Sequence, residues 1–202
     1  MDIEIIEEGE DEIEFELEGT SPEFANSLRR TMIGNVPTLA VEDVKIVKNN
    51  SGLFDEIVAH RLGMIPWEFD PEKYNVPEDC DCEDGCPKCQ VSMALQADGE
   101  GTVTAEDISV PSDDVEAREP ETPVARLNED GEMELEMVAQ LGLGKDHAKW
   151  QAANASYSYD GETFHFQVET VSGLDPRTVV TRAVERLEKG LDEFEEEVEK
   201  DL

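Results

Sequence analysis

Four cysteines lie within ten residues of one another and are the residues best suited to chemistry. Their spacing is C-x-C-x₃-C-x₂-C, and the chain contains no other cysteine: Cys80, Cys82, Cys86 and Cys89. Thiolates this close in sequence can converge on one ion with little loss of loop-closure entropy. A closed set of four cysteines leaves no open coordination position, so such a site stabilises structure and does not catalyse. The spacing therefore predicts a structural metal site, with zinc as the expected ion.

Two features of this loop bear on the zinc prediction. An even number of cysteines can also form disulfides, but nothing in the sequence indicates an oxidising compartment. Acidic residues surround the thiols and are offset by a single Lys88: Asp79, Asp81, Glu83 and Asp84. Their charge adds to that of four thiolates and weakens the expected affinity. Iron, or an empty and degenerate loop, stays open as an alternative.

No arrangement of residues in the sequence indicates catalysis. The three histidines, His60, His147 and His165, are far apart and lack the spacing of metal ligands. Residues 141–145 (LGLGK) weakly resemble a phosphate-binding loop, but the Gly-Lys-Ser/Thr arrangement is missing. No pairing of a nucleophile with a base is recognisable. The sequence therefore favours a structural or binding protein without catalytic residues of its own.

The chain is strongly acidic, with 51 Asp and Glu residues against 16 Lys and Arg residues and a net charge of −35. Mimics of nucleic acid and binders of basic proteins gather their acids in patches or tails. Here the acids are spread along nearly the whole chain. Molar salt would screen their mutual repulsion, because the Debye length at 1 M is about 3 Å. We therefore interpret the acidity as halophilic.

The same charge distribution argues against direct binding of nucleic acid, because phosphate contacts need a basic stripe and none is recognisable. The N-terminal residues show neither the basic nor the apolar region of a signal peptide. No apolar run approaches the length of a membrane span. These patterns predict a cytoplasmic chain that does not associate with membranes.

Hydrophobic periodicity predicts an α+β fold. The predicted elements are, in order, a β-hairpin over residues 2–18, a helix over 21–33 capped by Ser21 or Thr20, a strand over 39–48, a short helix over 53–63, a loop-rich stretch over 67–90, strands between 91 and 139, a surface loop over 110–123 and a strand over 163–171. Asp160 and Gly161 predict a tight turn before the last of these strands.

The C-terminal helix is the clearest predicted element. Asp175 is expected to cap it, with Pro176 at its first position. Its apolar residues recur in steps of four and three and form a heptad seam: Val180, Val184, Leu187, Leu191, Phe194 and Val198. A narrow seam of this kind predicts packing against a second helix from another chain, or against the chain's own sheet. The two arrangements are compatible.

Four stretches together resemble the alpha-like subunits of RNA polymerase, the family that includes the archaeal alpha-like subunit and the third-largest subunit of eukaryotic polymerase II. They are residues 26–30 (NSLRR) with 35–40 (NVPTLA), residues 55–66 (DEIVAHRLGMIP), the cysteine loop, and residues 140–150 (QLGLGKDHAKW). They occur in the family's order and span essentially the whole chain. Residues 55–66 are the most specific of them.

This resemblance implies a discontinuous alpha-like dimerisation domain, residues 1–40 and 160–202, with an inserted and mainly β domain, residues 41–159, that carries the cysteine loop at 80–89. It implies a non-catalytic assembly platform of DNA-dependent RNA polymerase. Such a platform forms a heterodimer with the small subunit L and docks the second-largest subunit and the small subunits N and P. The alternative is a stand-alone zinc-binding regulatory or interaction protein.

The resemblance also implies which residues meet other subunits. They are Phe24, Asn26, Leu28, Arg29 and Arg30 on the first helix and Val180, Val184, Leu187, Leu191 and Phe194 on the last. Many archaeal members carry a ferredoxin-like insertion with cysteines of its own near the end of the insert domain. No second set of cysteines is present in this sequence, so an iron–sulfur cluster of that type is not expected.

Overall fold

The computed structural model describes residues 1–83 and 85–201, apart from the side chain of residue 201. The predicted acidic neighbour Asp84 therefore lies outside the described residues. The chain divides into two compact units. The first joins Met1–Pro37 to Leu143–Leu202, and the second is Thr38–Gly142. The first unit is therefore discontinuous in sequence, and the second is inserted between its two parts.

The described residues contain three α-helices and twelve strands. The helices are α1 (Pro22–Gly34), α2 (Asp55–Gly63) and α3 (Pro176–Asp201), and the strands are β1 (Asp2–Glu8), β2 (Glu12–Glu18), β3 (Thr38–Asn49), β4 (Trp67–Glu68), β5 (Gln90–Asp98), β6 (Gly101–Thr104), β7 (Ile108–Ser109), β8 (Glu116–Ala117), β9 (Pro123–Leu127), β10 (Glu132–Gly142), β11 (Ala153–Asp160) and β12 (Thr163–Thr170). Short 3₁₀ turns lie at Pro77–Asp79, Ala105–Asp107 and Ala148–Trp150. None of the described helices has the length and apolar character needed to cross a membrane.

The discontinuous unit is built on an antiparallel sheet of order β1-β2-β12-β11. Alternate residues of β2 are buried and pair with buried residues of β12, as the period-2 pattern predicts. At the centre Phe15 stacks on Phe166, with ring centroids 4.8 Å apart. Helix α1 packs against β11 and α3, and α3 packs against β12 and β2. Both helices therefore cover the same sheet.

Both long helices of this unit begin as predicted. The hydroxyl of Ser21 accepts a hydrogen bond from the amide of Phe24 at 3.4 Å, which identifies Ser21 as the N-cap of α1. The carboxylate of Asp175 accepts one from the amide of Thr178 at 2.8 Å and caps α3 in the same way. Each cap satisfies an amide that has no partner inside its helix.

The inserted unit is mainly β, with a sheet of order β3-β10-β5-β7. Strand β10 lies between β3 and β5 and contributes Met133, Leu135 and Met137 to the core. Two small sheets, β4 with β8 and β6 with β9, complete the unit. Helix α2 packs on β3 and β9, where the guanidinium of Arg61 donates to the carbonyl of Val124 at 2.9 Å. This arrangement confirms the predicted α+β class with an inserted β domain.

Two strands differ from the sequence prediction. The predicted loop over residues 110–123 contains β8, which pairs with β4 beside the buried Trp67. Strand β11 was not predicted, although Ala153, Ala155, Tyr157 and Tyr159 alternate with polar residues along it. Its pairing with β12 places it in the discontinuous unit, whose second part begins at Leu143. The predicted turn before β12 is present, with Gly161 at a φ of 62°.

Candidate metal centre and subunit interface

The four cysteines lie in a loop that backbone hydrogen bonds hold at both ends. On one side a 3₁₀ turn at Pro77–Asp79 leads into Cys80. On the other side β5 begins directly after Cys89. The carbonyl of Cys86 accepts hydrogen bonds from the amides of Cys89 and Gln90, each at 2.9 Å. These bonds fold residues 86–89 into a tight turn that brings two of the thiols together.

The four sulfur atoms converge on one point, as the spacing predicts. All of them lie within 4.8 Å of one another. The Sγ atoms of Cys80 and Cys86 are 3.6 Å apart, those of Cys82 and Cys89 3.5 Å, and those of Cys86 and Cys89 3.8 Å. A tetrahedral zinc with Zn–S bonds of about 2.3 Å requires S···S separations of about 3.8 Å. The sulfur positions therefore fit a tetrahedral ion.

Backbone amides directed at the sulfurs favour the thiolate form that a metal needs. The amide of Cys86 donates to Sγ of Cys89 at 3.3 Å. A hydrogen bond from the backbone of Lys88 is the main cause that lowers the pKa of Cys86 to about 7. Burial acts in the opposite sense at Cys89 and raises the pKa of its thiol. A bound cation would overcome that effect, because a coordinated thiol is deprotonated outright.

Gly85 is the residue of this loop whose conformation requires glycine. Its φ is 90°, a region that L side chains rarely adopt, and a Cβ there would meet the side-chain oxygen of Gln90 at 1.9 Å. The residue is thus suited to the sharp bend between Cys82 and Cys86. With four protein ligands and no open position, the site can hold a structural ion and offers no position for a substrate.

The second candidate site is the apolar seam of α3. The seam is not the face that α3 buries against its own sheet, because that face carries Val179 and Ala183. Val180 and Leu187 are half-buried at the edge of that face. Towards the C-terminus the seam is open: Val184 is 47% exposed, Leu191 70% and Phe194 68%. Within the described part of the chain nothing covers these side chains.

Helix α1 meets the seam along a groove of about 490 Å³. It is lined by Phe24, Ser27 and Thr31 of α1, by Asn35 at the C-cap of α1, and by Arg186, Leu187, Gly190 and Leu191 of α3. The structure thus brings the predicted interface residue Phe24 together with Leu187 and Leu191. The groove extends the exposed seam and gives it a second wall.

The other predicted interface residues of α1 have different surroundings. Leu28 is 3% exposed and packs inside its own unit, so little of its surface is open to another chain. Asn26 and Arg29 are half-buried, and the guanidinium of Arg29 donates to the side-chain oxygen of Asn26 at 3.1 Å. Arg30 is exposed. The interface roles of all these residues stay predictions.

Strand β1 adds an apolar surface that the sequence analysis missed. In the register of the sheet Ile3 lies opposite Leu17, and Ile5 lies opposite Phe15. Leu17 and Phe15 are buried, but Ile3 and Ile5 are exposed, since β1 lies at the edge of the sheet. The signal was available, because the apolar alternation of β1 continues that of β2.

Comparison with known proteins identifies the family. A sequence profile described as the RNA polymerase Rpb3/RpoA insert domain matches residues 44–159, more than half of the chain. The chain belongs to the Rpb3/RpoA insert-domain family. The matched region contains the cysteine loop and nearly all of the inserted unit.

Three archaeal relatives of this Rpb3/RpoA-family chain carry the description DNA-directed RNA polymerase subunit Rpo3. The chain is 41% identical to that of Methanothermobacter thermautotrophicus over 163 residues, 43% identical to that of Methanosphaera stadtmanae over 165, and 40% identical to that of Pyrococcus furiosus over 159. Each match covers 79% of this chain. The matches span 62%, 61% and 59% of these relatives' own lengths.

Proposed function

We propose that this chain is a non-catalytic assembly subunit of an archaeal DNA-directed RNA polymerase and works by joining other subunits. The similarity to Rpo3 proteins supports the assignment to the polymerase. The observation that carries the assembly role is the open seam of α3, where Leu191 and Phe194 are about two-thirds exposed. Contiguous exposed apolar surface of this kind marks sites of protein–protein interaction.

The discontinuous unit would be the part that pairs with a partner. A helix with a heptad seam packs against another helix by inserting its apolar residues between those of the partner. The groove between α1 and α3 supplies the neighbouring wall for such an insertion. We assign the partner as the small subunit L, as the family resemblance implies. The second-largest subunit and subunits N and P would then dock on the heterodimer.

The cysteine loop would hold one structural Zn²⁺ through Cys80, Cys82, Cys86 and Cys89. A bound ion would cross-link the two cysteine pairs of the loop, Cys80 with Cys82 and Cys86 with Cys89. The residues of the chain supply the geometry: the turn at 86–89 presents two thiols, and backbone amides stabilise their charge. The loop would then present a fixed surface beside β5, without taking part in the polymerase reaction.

Two further assignments concern the origin of the chain and its location in the cell. Acids spread along the chain support a halophilic origin, since molar salt screens their repulsion. A role in transcription supports a location in the cytoplasm of an archaeal cell. No direct contact with nucleic acid is assigned, because the acids would repel the phosphates.

Purification of the tagged chain from its own organism in molar KCl tests the assignment. We expect a small partner and the two large polymerase subunits to co-purify in stoichiometric amounts, as measured by native mass spectrometry. Recovery of a stable monomer without these chains would overturn the assembly role and favour a stand-alone zinc-binding protein. The same spectra report whether each chain carries one metal ion.

A further inference from the structure

The four thiols of the cysteine loop form two pairs that reach across the loop. The Sγ atom of Cys80 lies 3.6 Å from that of Cys86, and the Sγ atom of Cys82 lies 3.5 Å from that of Cys89. The two pairs share no cysteine, so together they use all four thiols. Each of these cross-loop pairs joins the first half of the loop, residues 80–83, to the second half, residues 86–89. Sulfurs that would share one ion are therefore also placed to bond with each other.

A small movement separates each cross-loop pair from a disulfide. All four cysteines are free in the structure. A disulfide bond is about 2.05 Å long, so the two sulfurs of each pair have to approach by about 1.5 Å. The second half of the loop is fixed by the hydrogen bonds to the carbonyl of Cys86, but residues 80–83 belong to no helix or strand. Closure would therefore move the first half of the loop and leave β5 in place.

The thiols are accessible to small molecules. A cavity of about 410 Å³ lies beside the second half of the loop, and its lining includes Cys86 and Gln90 together with Tyr74 and Ser112. Cys86 is half-buried, as are the two thiols of the first half, whereas Cys89 is only 2% exposed. Each cross-loop pair thus contains at least one thiol that solvent can reach.

The charge around the loop selects the kind of molecule that reaches these thiols. Asp79, Asp81 and Glu83 are exposed beside them. An anionic reagent would have to come into contact with these carboxylates, where even a Debye length of about 3 Å leaves repulsion. A small neutral oxidant such as hydrogen peroxide is not repelled and fits the cavity.

We propose that the cysteine loop is a site of reversible oxidation, at which a neutral peroxide converts the thiols to the disulfides Cys80–Cys86 and Cys82–Cys89 and thereby releases the metal ion. The proposal rests on the structural metal site proposed above and adds a redox response to it. Release follows because the thiolate is the form of cysteine that binds a metal, and a disulfide has none. Two covalent cross-links then replace the one that the ion supplied.

The atoms and electrons of this reaction balance. The sulfur of Cys86 attacks one peroxide oxygen, the O–O bond breaks, and hydroxide leaves a sulfenic acid on Cys86. The sulfur of Cys80 attacks that sulfur, the S–S bond forms, and a second hydroxide leaves. A second peroxide reacts in the same way at Cys82, which is then attacked by Cys89. Each disulfide gives two electrons to one peroxide, so four thiolates and two peroxides yield two disulfides and four hydroxide ions.

Treatment of the reduced, zinc-loaded chain with two equivalents of hydrogen peroxide in molar KCl tests the proposal. We expect native mass spectra to lose the ion, and the denatured chain to weigh four hydrogen atoms less than the reduced chain. A thiol reductant with added zinc should restore one ion per chain. Sulfoxide formation at the exposed Met64 is the internal control, because it adds oxygen and does not reverse under these conditions.

The sequence of the loop allows the disulfides to be mapped. Asp81, Glu83 and Lys88 separate the four cysteines, so cleavage after acidic and basic residues places each cysteine in a fragment of its own. The linked fragments from the oxidised chain should pair Cys80 with Cys86 and Cys82 with Cys89. No other pairing agrees with the proposal.

Two matched variants test the pairing without depending on the metal. Cys82→Ser should still form the disulfide between Cys80 and Cys86 and leave Cys89 reduced. Cys80→Ser should still join Cys82 to Cys89 and leave a sulfenic acid on Cys86, which a dimedone probe labels. A disulfide between Cys86 and Cys89, whose sulfurs are 3.8 Å apart, would refute the pairing in either variant.

The remaining outcomes also count against the proposal. Sulfinic or sulfonic acids without disulfides, or an ion that stays bound after two equivalents of peroxide, would overturn the reversible oxidation while leaving the metal site intact. A freshly purified, reduced chain without metal would overturn the metal site, and with it the release of an ion.

Discussion

Replacing Leu191 and Phe194 of α3 by serine should separate partner binding from folding. Full burial of a Leu or Phe side chain contributes about 1.5–3 kcal/mol. Since 70% of Leu191 and 68% of Phe194 is exposed in the chain alone, about two-thirds of that contribution is still available to a partner. Loss of both side chains would weaken the heterodimer by about 2–4 kcal/mol, or about 30- to 700-fold in Kd. By the same reasoning, the third of each side chain that is already buried contributes about 1–2 kcal/mol in total to the isolated chain, so its free energy of unfolding should fall by no more than that.

The assay is titration of the purified small partner against the labelled chain in molar KCl, with denaturant unfolding of the chain alone as the second readout. Lys189→Ser with Glu193→Ser is the matched control, because this exposed pair lies on the side of α3 away from the seam and its removal leaves the net charge unchanged. The control should bind normally. A Kd within about threefold of the unmodified chain for the seam variant would refute the assignment of the seam to the partner.

Three further predictions concern the metal, the packing of one glycine and a surface ion pair. Cys86→Ser should abolish the single metal ion per chain in native mass spectra; an unmodified, freshly purified chain without metal would contradict the zinc site. Gly144→Ala should destabilise the chain by about 1–3 kcal/mol in denaturant unfolding, whereas Gly190→Ala, in a helix with open space around it, should stabilise it by up to about 1 kcal/mol; equal shifts would contradict the close approach at Gly144. A hydrogen bond from Arg177 lowers the pKa of Glu8, so the pairing stabilises the fold above the ordinary Glu pKa, and that stabilisation is lost as the pH falls through the lowered pKa. Arg177→Gln should therefore have a lower melting temperature than the unmodified chain at pH 7 and the same melting temperature at pH 2. A difference in melting temperature that persists at pH 2 would count against this linkage.

Local patterns were sufficient to predict those elements whose sequence signal is local. The alternation of Ile13, Phe15 and Leu17 with glutamates predicts a strand with one buried face, and the structure buries all three. The caps of α1 and α3 follow from a polar residue placed just before a proline. In each case the determining interactions lie within a few residues of one another.

One strand with a weak local signal was not predicted, although its partner strand lies just beyond a predicted tight turn. The first half of β11 has alanine, asparagine and serine, which do not favour strands, and only Tyr157 and Tyr159 in its second half do. It is a strand because β12 pairs with it through eight consecutive residues and α1 covers it. That pairing places β11 in the discontinuous unit.

The two candidate sites differ in how much of their structure the sequence alone predicts. Convergence of the four thiols follows from their spacing alone, but the amide that lowers the pKa of Cys86 depends on the turn conformation. The heptad pattern located the open seam, yet it could not show that Val179 and Ala183 supply the face buried against the sheet. Each of those two residues directly precedes a seam residue, Val180 or Val184, so the spacing that defines the seam left them out.

If the chain is a halophilic polymerase subunit, as proposed above, its contacts with other subunits would depend on apolar surface. Molar salt screens exposed ion pairs almost completely, because the Debye length is about 3 Å at 1 M, but it does not screen the burial of apolar surface. Ion pairs of α3 such as Lys200 with Glu197 at 2.9 Å lie on its solvent side and would contribute little there. An acidic subunit in such salt must associate through residues like Leu191 and Phe194, and through charges that become buried and so escape screening. The exposed seam of α3 supplies apolar surface of this kind.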